Sequence, residues 1–158
     1  MGTEPVPMVH VFAYGSLLNP TSLARTLPTV ATQDPIPAHL VGFLRAFTVA
    51  FPNGGEQTDK AYFDDDGRRP PFVLFAIAVP RMPRAAASGA VHGDGQVGAP
   101  LNGVLVQVNG TELSRLAERE RRYRIIDVSR HITLTVDAGQ PPAKCVTFVG
   151  QPRFTLPQ

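Results

Sequence analysis

Apolar residues in this chain fall into short runs, and most of those runs read as strands. Residues 8–14 (MVHVFAY) are rich in β-branched and aromatic side chains and bounded by polar or turn-forming neighbours. Residues 40–51 (LVGFLRAFTVAF) read as one bent strand with Gly42 at a bulge. Residues 72–79 (FVLFAIAV) lie between prolines as a continuous apolar run, the pattern of a strand buried on both faces. Residues 102–108 (NGVLVQV), the alternating part of 125–136, and 144–149 complete the set, with a further short strand read around 61–63. Between 80 and 100 the chain is rich in Ala, Gly and Pro without periodicity, which predicts a long loop.

Two stretches carry a helical signature. Asn19-Pro20 opens the first: Asn19 suits the N-cap, Pro20 the first helical position, Leu23 and Leu27 the buried side, and Pro28 ends it. The second runs from Asn109 to Tyr123, where Asn109 and Glu112 have the spacing of a capping box. Leu113, Leu116, Ala117 and Tyr123 then recur at helical steps. Strands dominate and helices are few. The predicted class is therefore α+β, a small mixed β-barrel with few flanking helices. One domain is expected over 1–158, with 1–7 and 151–158 as flexible tails.

Glu120 is the one charge that falls on the apolar stripe of the second helix, four residues after Leu116 and three before Tyr123. A carboxylate aimed at a core is costly unless it is paired or hydrogen-bonded. Two readings stand. It is a structural carboxylate tied to backbone amides or an arginine, or it is a general acid/base whose pKa is raised by apolar surroundings. The turn Tyr14-Gly15-Ser16-Leu17 between the first strand and the first helix has a similar ambiguity. A glycine there lets backbone N–H groups converge on one space, or merely relieves a tight turn. Arg45 reads as an edge residue or as the partner of a buried carboxylate.

Composition narrows the function classes. Hydrophobic residues at 43% with charged residues at 18% describe a globular chain with a real core. A net charge of +2 from 15 basic and 13 acidic residues is too small a bias to argue for nucleic acid. The local cluster Arg119, Arg121, Arg122 and Arg124 reads as a solvated helix face, or as an attractor for an acidic substrate. The run Asp64-Asp65-Asp66 lacks EF-hand spacing, so no metal is expected there. His92 in the long loop reads as incidental. The single cysteine, Cys145, excludes an intramolecular disulfide and sits among apolar residues as a core filler; a reducing, cytoplasmic location is expected. No apolar run is long enough to span a membrane, so no membrane partner is expected. The N-terminal MGTEPVPMV has neither a signal-peptide pattern nor, with Val6, a myristoylation pattern.

Three pieces taken together, FAYGSL, GVLVQV and LAERERRY, resemble the gamma-glutamylcyclotransferase-like superfamily, which includes gamma-glutamylamine cyclotransferases and the plant avirulence-induced relatives. That family has a first strand ending in YGSL and a later helix of the form L-D-x-x-E-x-x-Y. Here these are Tyr14 to Leu17 and Leu116 to Tyr123, and VGFLRAF at 41–47 is similar to the family's second strand. One position departs: Ala117 stands where the family has Asp.

The resemblance implies a β-barrel with a cavity between the YGSL turn and the helix glutamate. It implies cleavage of a γ-glutamyl amide by attack of the substrate's own α-amine, releasing 5-oxoproline and an amine. Glu120 would be the general acid/base, with Tyr14, Gly15, Ser16, Leu17 and Tyr123 binding the substrate. No metal or organic cofactor is called for, and Ser16 is not a nucleophile, since no G-x-S-x-G elbow is present. The expected partner is a small-molecule γ-glutamyl substrate, with oligomeric state open. Two alternatives remain: removal of a γ-glutamyl group from a biosynthetic intermediate by the same chemistry, and a non-catalytic binding protein on the same fold.

Overall fold

A computed structural model describes residues 7–54, 62–81, 99–135 and 139–155. Within them the order is β1 (Met8–Ala13), α1 (Pro20–Ala24), β2 (Ile36–Leu40), β3 (Phe43–Pro52), β4 (Phe72–Pro80), β5 (Leu101–Asn109), α2 (Gly110–Arg119), β6 (Tyr123–Asp127), β7 (Ile132–Leu134) and β8 (Cys145–Gly150). The α+β class holds. His92 and most of the 80–100 loop lie outside the described residues, as does Ala61; Tyr62 and Phe63 are not in a strand.

The main sheet has six strands in the order β6-β8-β1-β5-β2-β7. β1 is central and mixed, antiparallel to β5 and parallel to β8. Its side chains alternate between two cores, as the pleat requires. Val9, Val11 and Ala13 face one side with Leu23, Leu27 and Leu116 of the helical segments. Phe12 and Tyr14 face the other, with Leu40, Phe43, Leu105 and Ala78.

The sheet does not close into the expected barrel. Among the described residues β3 and β4 pair with each other as a separate two-stranded ribbon and with no strand of the main sheet. The cause is local. Residues 40–51 are not one bent strand; Gly42, at φ +80°, turns the chain out of the main sheet after β2. Val41 N–H is held by His131 O at 2.7 Å and Gly42 O accepts from Arg81 N at 2.7 Å, which fixes that corner. For the same reason β4 is not buried on both faces. Ile77 and Ala78 are buried, whereas Phe72 is 58% and Leu74 47% exposed.

The helix signals are met at their start. Asn109 Oδ1 accepts from Glu112 N at 3.0 Å while Glu112 Oε2 accepts from Asn109 N at 2.9 Å, a complete capping box. Asn19 Oδ1 likewise caps α1 through Ser22 N at 3.1 Å. The far end of α2 differs from expectation: it stops at Arg119, and Tyr123 begins β6. The segment after Gly150 is not a loose tail as far as Thr155. Gln151 Nε2 donates to Tyr123 O at 3.0 Å, and Thr155 bridges to Val49. Asp64 O and Oδ1 accept from Gly67 N and Arg68 N, so the acidic run closes a turn. Burial pushes the Cys145 thiol up to about 12, which suits a core side chain and not a nucleophile. Among the described residues no helix is long and apolar enough to cross a membrane.

Gly103 of β5 marks the tightest point of the main sheet. A Cβ there would lie 2.4 Å from Ala13 O and 2.5 Å from the Phe12 ring. Gly103→Ala is therefore expected to lower stability by about 1–3 kcal/mol or more in urea unfolding. Gly110→Ala, where a Cβ meets nothing within 4 Å, should cost nothing.

Candidate active site

β1 ends at Ala13, and Tyr14 continues in extended backbone before the chain enters a 3-10 turn at Gly15–Leu18. Gly15 takes φ +59°, the left-handed conformation that glycine adopts without strain. Leu17 N–H is consumed inside the turn by Tyr14 O at 3.2 Å. The amides of Gly15 and Ser16, at the first two positions of the turn, have no helical carbonyl to meet.

This turn forms one side of a pocket of about 330 Å³, counting its open mouth. Tyr14, Gly15, Ser16, Leu17, Glu120 and Tyr123 all line it, together with Phe75, Ala76 and Phe148. The residues singled out from the sequence thus converge on one space. Phe75 and Ala76 on β4 and Phe148 on β8 were not singled out, because inside apolar runs nothing separates a wall residue from a core residue.

Glu120 is the C-cap of α2, not a residue of its apolar stripe. Its φ −91°, ψ 36° leaves the helical region, and its carbonyl accepts from Tyr123 N at 2.7 Å to close a turn into β6. The carboxylate meets a cation, as the first of the two readings of the sequence allowed: Arg119 Nε lies 3.1 Å from Glu120 Oε1. Arg119 is itself anchored on α1, donating to Ser22 O at 2.6 Å, Ser22 Oγ at 2.8 Å and Thr26 Oγ1 at 3.1 Å. It is not part of a solvated face. The Glu120 side chain is 13% exposed, withdrawn from solvent yet on the pocket wall. Arg45 bonds elsewhere, to Asn102 Oδ1 at 2.9 Å.

The two tyrosines are engaged by protein. Tyr14 donates its hydroxyl hydrogen to Phe148 O and accepts from Ala78 N at 2.9 Å. Tyr123 donates to Ala76 O at 3.3 Å. Burial raises both phenols well above the ordinary tyrosine range. Tyr14 is therefore a wall of the pocket whose one donor is already committed.

No protein-family model matches the chain, and no curated protein sequence matches it. Solved structures do. A gamma-glutamyl cyclotransferase superposes with a TM-score of 0.57 at 17% identity, over 92% of this chain and 68% of that one. The chain has the gamma-glutamyl cyclotransferase fold. Other structures of this fold type include a glutathione-specific gamma-glutamyl cyclotransferase from yeast, with TM-score 0.53 and 15% identity over 90% of this chain and 69% of that one. YkqA of Bacillus subtilis gives 0.56 and 21% over 91% and 40%. Within this fold Ala117, the departure from the expected helix pattern, packs half-buried against the core under the main sheet. It does not line the pocket.

Tyr14→Phe removes the partner of two buried backbone groups and keeps the ring. It is expected to cost roughly 1–3 kcal/mol in urea unfolding. The raised phenols set a sign for pH. Their contribution is complete below about pH 10, the unfolded tyrosine value, and is lost as pH rises beyond it. In Tyr14→Phe this alkaline loss should be smaller.

Proposed function

We propose that this protein is a cyclotransferase acting on a γ-glutamyl amide. The observation that carries the reading is the shared pocket: Glu120 lines the same space as the Gly15–Leu18 turn. In this reading the substrate supplies its own nucleophile, so the site needs a base, an anion holder and a shape that folds the glutamyl chain. Glu120 is the base. Its carboxylate, paired with Arg119, accepts a proton from the α-ammonium. The freed amine attacks the γ-carbonyl carbon, and the oxyanion that forms meets the amides of Gly15 and Ser16. Glu120 returns its proton to the leaving nitrogen as the carbon–nitrogen bond breaks, then takes the surplus proton from the ring nitrogen. The products are 5-oxoproline and an amine. Holding the amine against its own carbonyl supplies much of the acceleration. Tyr14, Leu17 and Tyr123 shape the cavity.

The ion pair with Arg119 also favours a second reading, in which Glu120 is a structural carboxylate in a binding protein. Purified protein incubated with γ-glutamyl amides and assayed for 5-oxoproline by mass spectrometry separates the two. Glu120→Gln is expected to lower kcat by about 10²–10⁴-fold with little change in Tm. Absence of turnover in the folded wild type, or a mutant that loses stability and not activity, contradicts the catalytic reading.

A further inference from the structure

The pocket wall is part polar and part aromatic, and the aromatic part bears on which amine leaves. The polar part is the Gly15-Ser16 turn and the Glu120 carboxylate, which the glutamyl head occupies in the reading above. Of the remaining wall, Phe148 is 2% exposed and forms a floor. Phe75 is different: it is half-buried and leads outward. Its ring packs edge-on against Tyr62, with centroids 5.7 Å apart at 79°, and against Phe51, 4.7 Å apart at 63°.

Tyr62 is itself held in place. The buried Asn53 donates from Nδ2 to Tyr62 O at 2.7 Å and accepts Tyr62 N at 3.1 Å through Oδ1. Yet Tyr62 remains 40% exposed. Phe51 is already covered by the Arg122 guanidinium, 4.6 Å from its centroid. Phe75 on the pocket wall and the exposed Tyr62 ring packed against it thus form a fixed aromatic pair. Aromatic surface held in place on the wall of a small site favours an apolar body, and the cation beside these rings, Arg122, is already engaged by Phe51, Phe154 and Ala50 O.

We propose that the amine released here carries an aromatic or otherwise apolar body that lies on Phe75 and runs out over Tyr62. This rests on the cyclotransferase reading and adds the class of its leaving group. The test compares kcat/KM for three substrates: the γ-glutamyl amides of methylamine, 2-phenylethylamine and glycine. The phenylethyl amide is expected to exceed the other two by about 10-fold or more, mainly through KM. Phe75→Ala should bring the phenylethyl-to-methyl ratio toward one. Tyr62→Ala, at an exposed ring, should reduce the same ratio and serves if the Phe75 variant does not fold. Turnover of all three amides at similar efficiency, or preference for the glycine amide, overturns this inference and leaves the cyclotransferase reading intact. No 5-oxoproline from any amide overturns both.

Discussion

The Tyr14 hydroxyl is the joint on which this structure depends. It donates to Phe148 O on β8 and accepts from Ala78 N on β4, so one buried oxygen spans the main sheet and the β3–β4 ribbon. Among the described residues the ribbon has no strand pairing to the main sheet. Its position therefore rests on side-chain ties of this kind, with Tyr123 to Ala76 O and Arg122 to Ala50 O as further examples. That position matters because Phe75 and Ala76, on the same strand, wall the pocket. Tyr14 also opens the turn that contributes Gly15 and Ser16. The residue that docks the ribbon is thus the one that launches the opposite wall.

Glu120 occupies an electrostatically awkward place. At a helix C-terminus the backbone dipole presents its negative end, which disfavours a carboxylate. Arg119 offsets this from the adjacent position, and its guanidinium is held by α1 and not left to solvent. The short helix after the glycine turn therefore holds the cation that pairs with the carboxylate across the pocket. Of the two readings that helical periodicity leaves for Glu120, this contact is the arginine-tied one.

Much of this was legible in the sequence because the signals were local. Asn109 with Glu112, Asn19 with Pro20, and the alternation along β1 each state their structure within a few residues. The pocket residues were found through the paired YGSL and E-x-x-Y motifs. What was not legible was long-range. Helical spacing carried α2 on to Tyr123, but Tyr123 pairs with Gly150 of β8, and that ladder ends the helix early. The apolar run of β4 looked like a central strand, yet among the described residues it pairs with β3 alone. Gly42 reads equally as a bulge or as a corner, and only the contacts of Val41 and Arg81 decide it. Phe75 was invisible as a site residue because an apolar run does not say which of its members faces a cavity.

The central claim is that the substrate's own amine, not water, attacks the γ-carbonyl. It is tested most directly by incubating the purified protein with a γ-glutamyl amide in ¹⁸O-labelled water and weighing the products. The account predicts 5-oxoproline without the heavy isotope and no glutamate. Glutamate carrying one ¹⁸O atom would mean hydrolysis by activated water, and would contradict it.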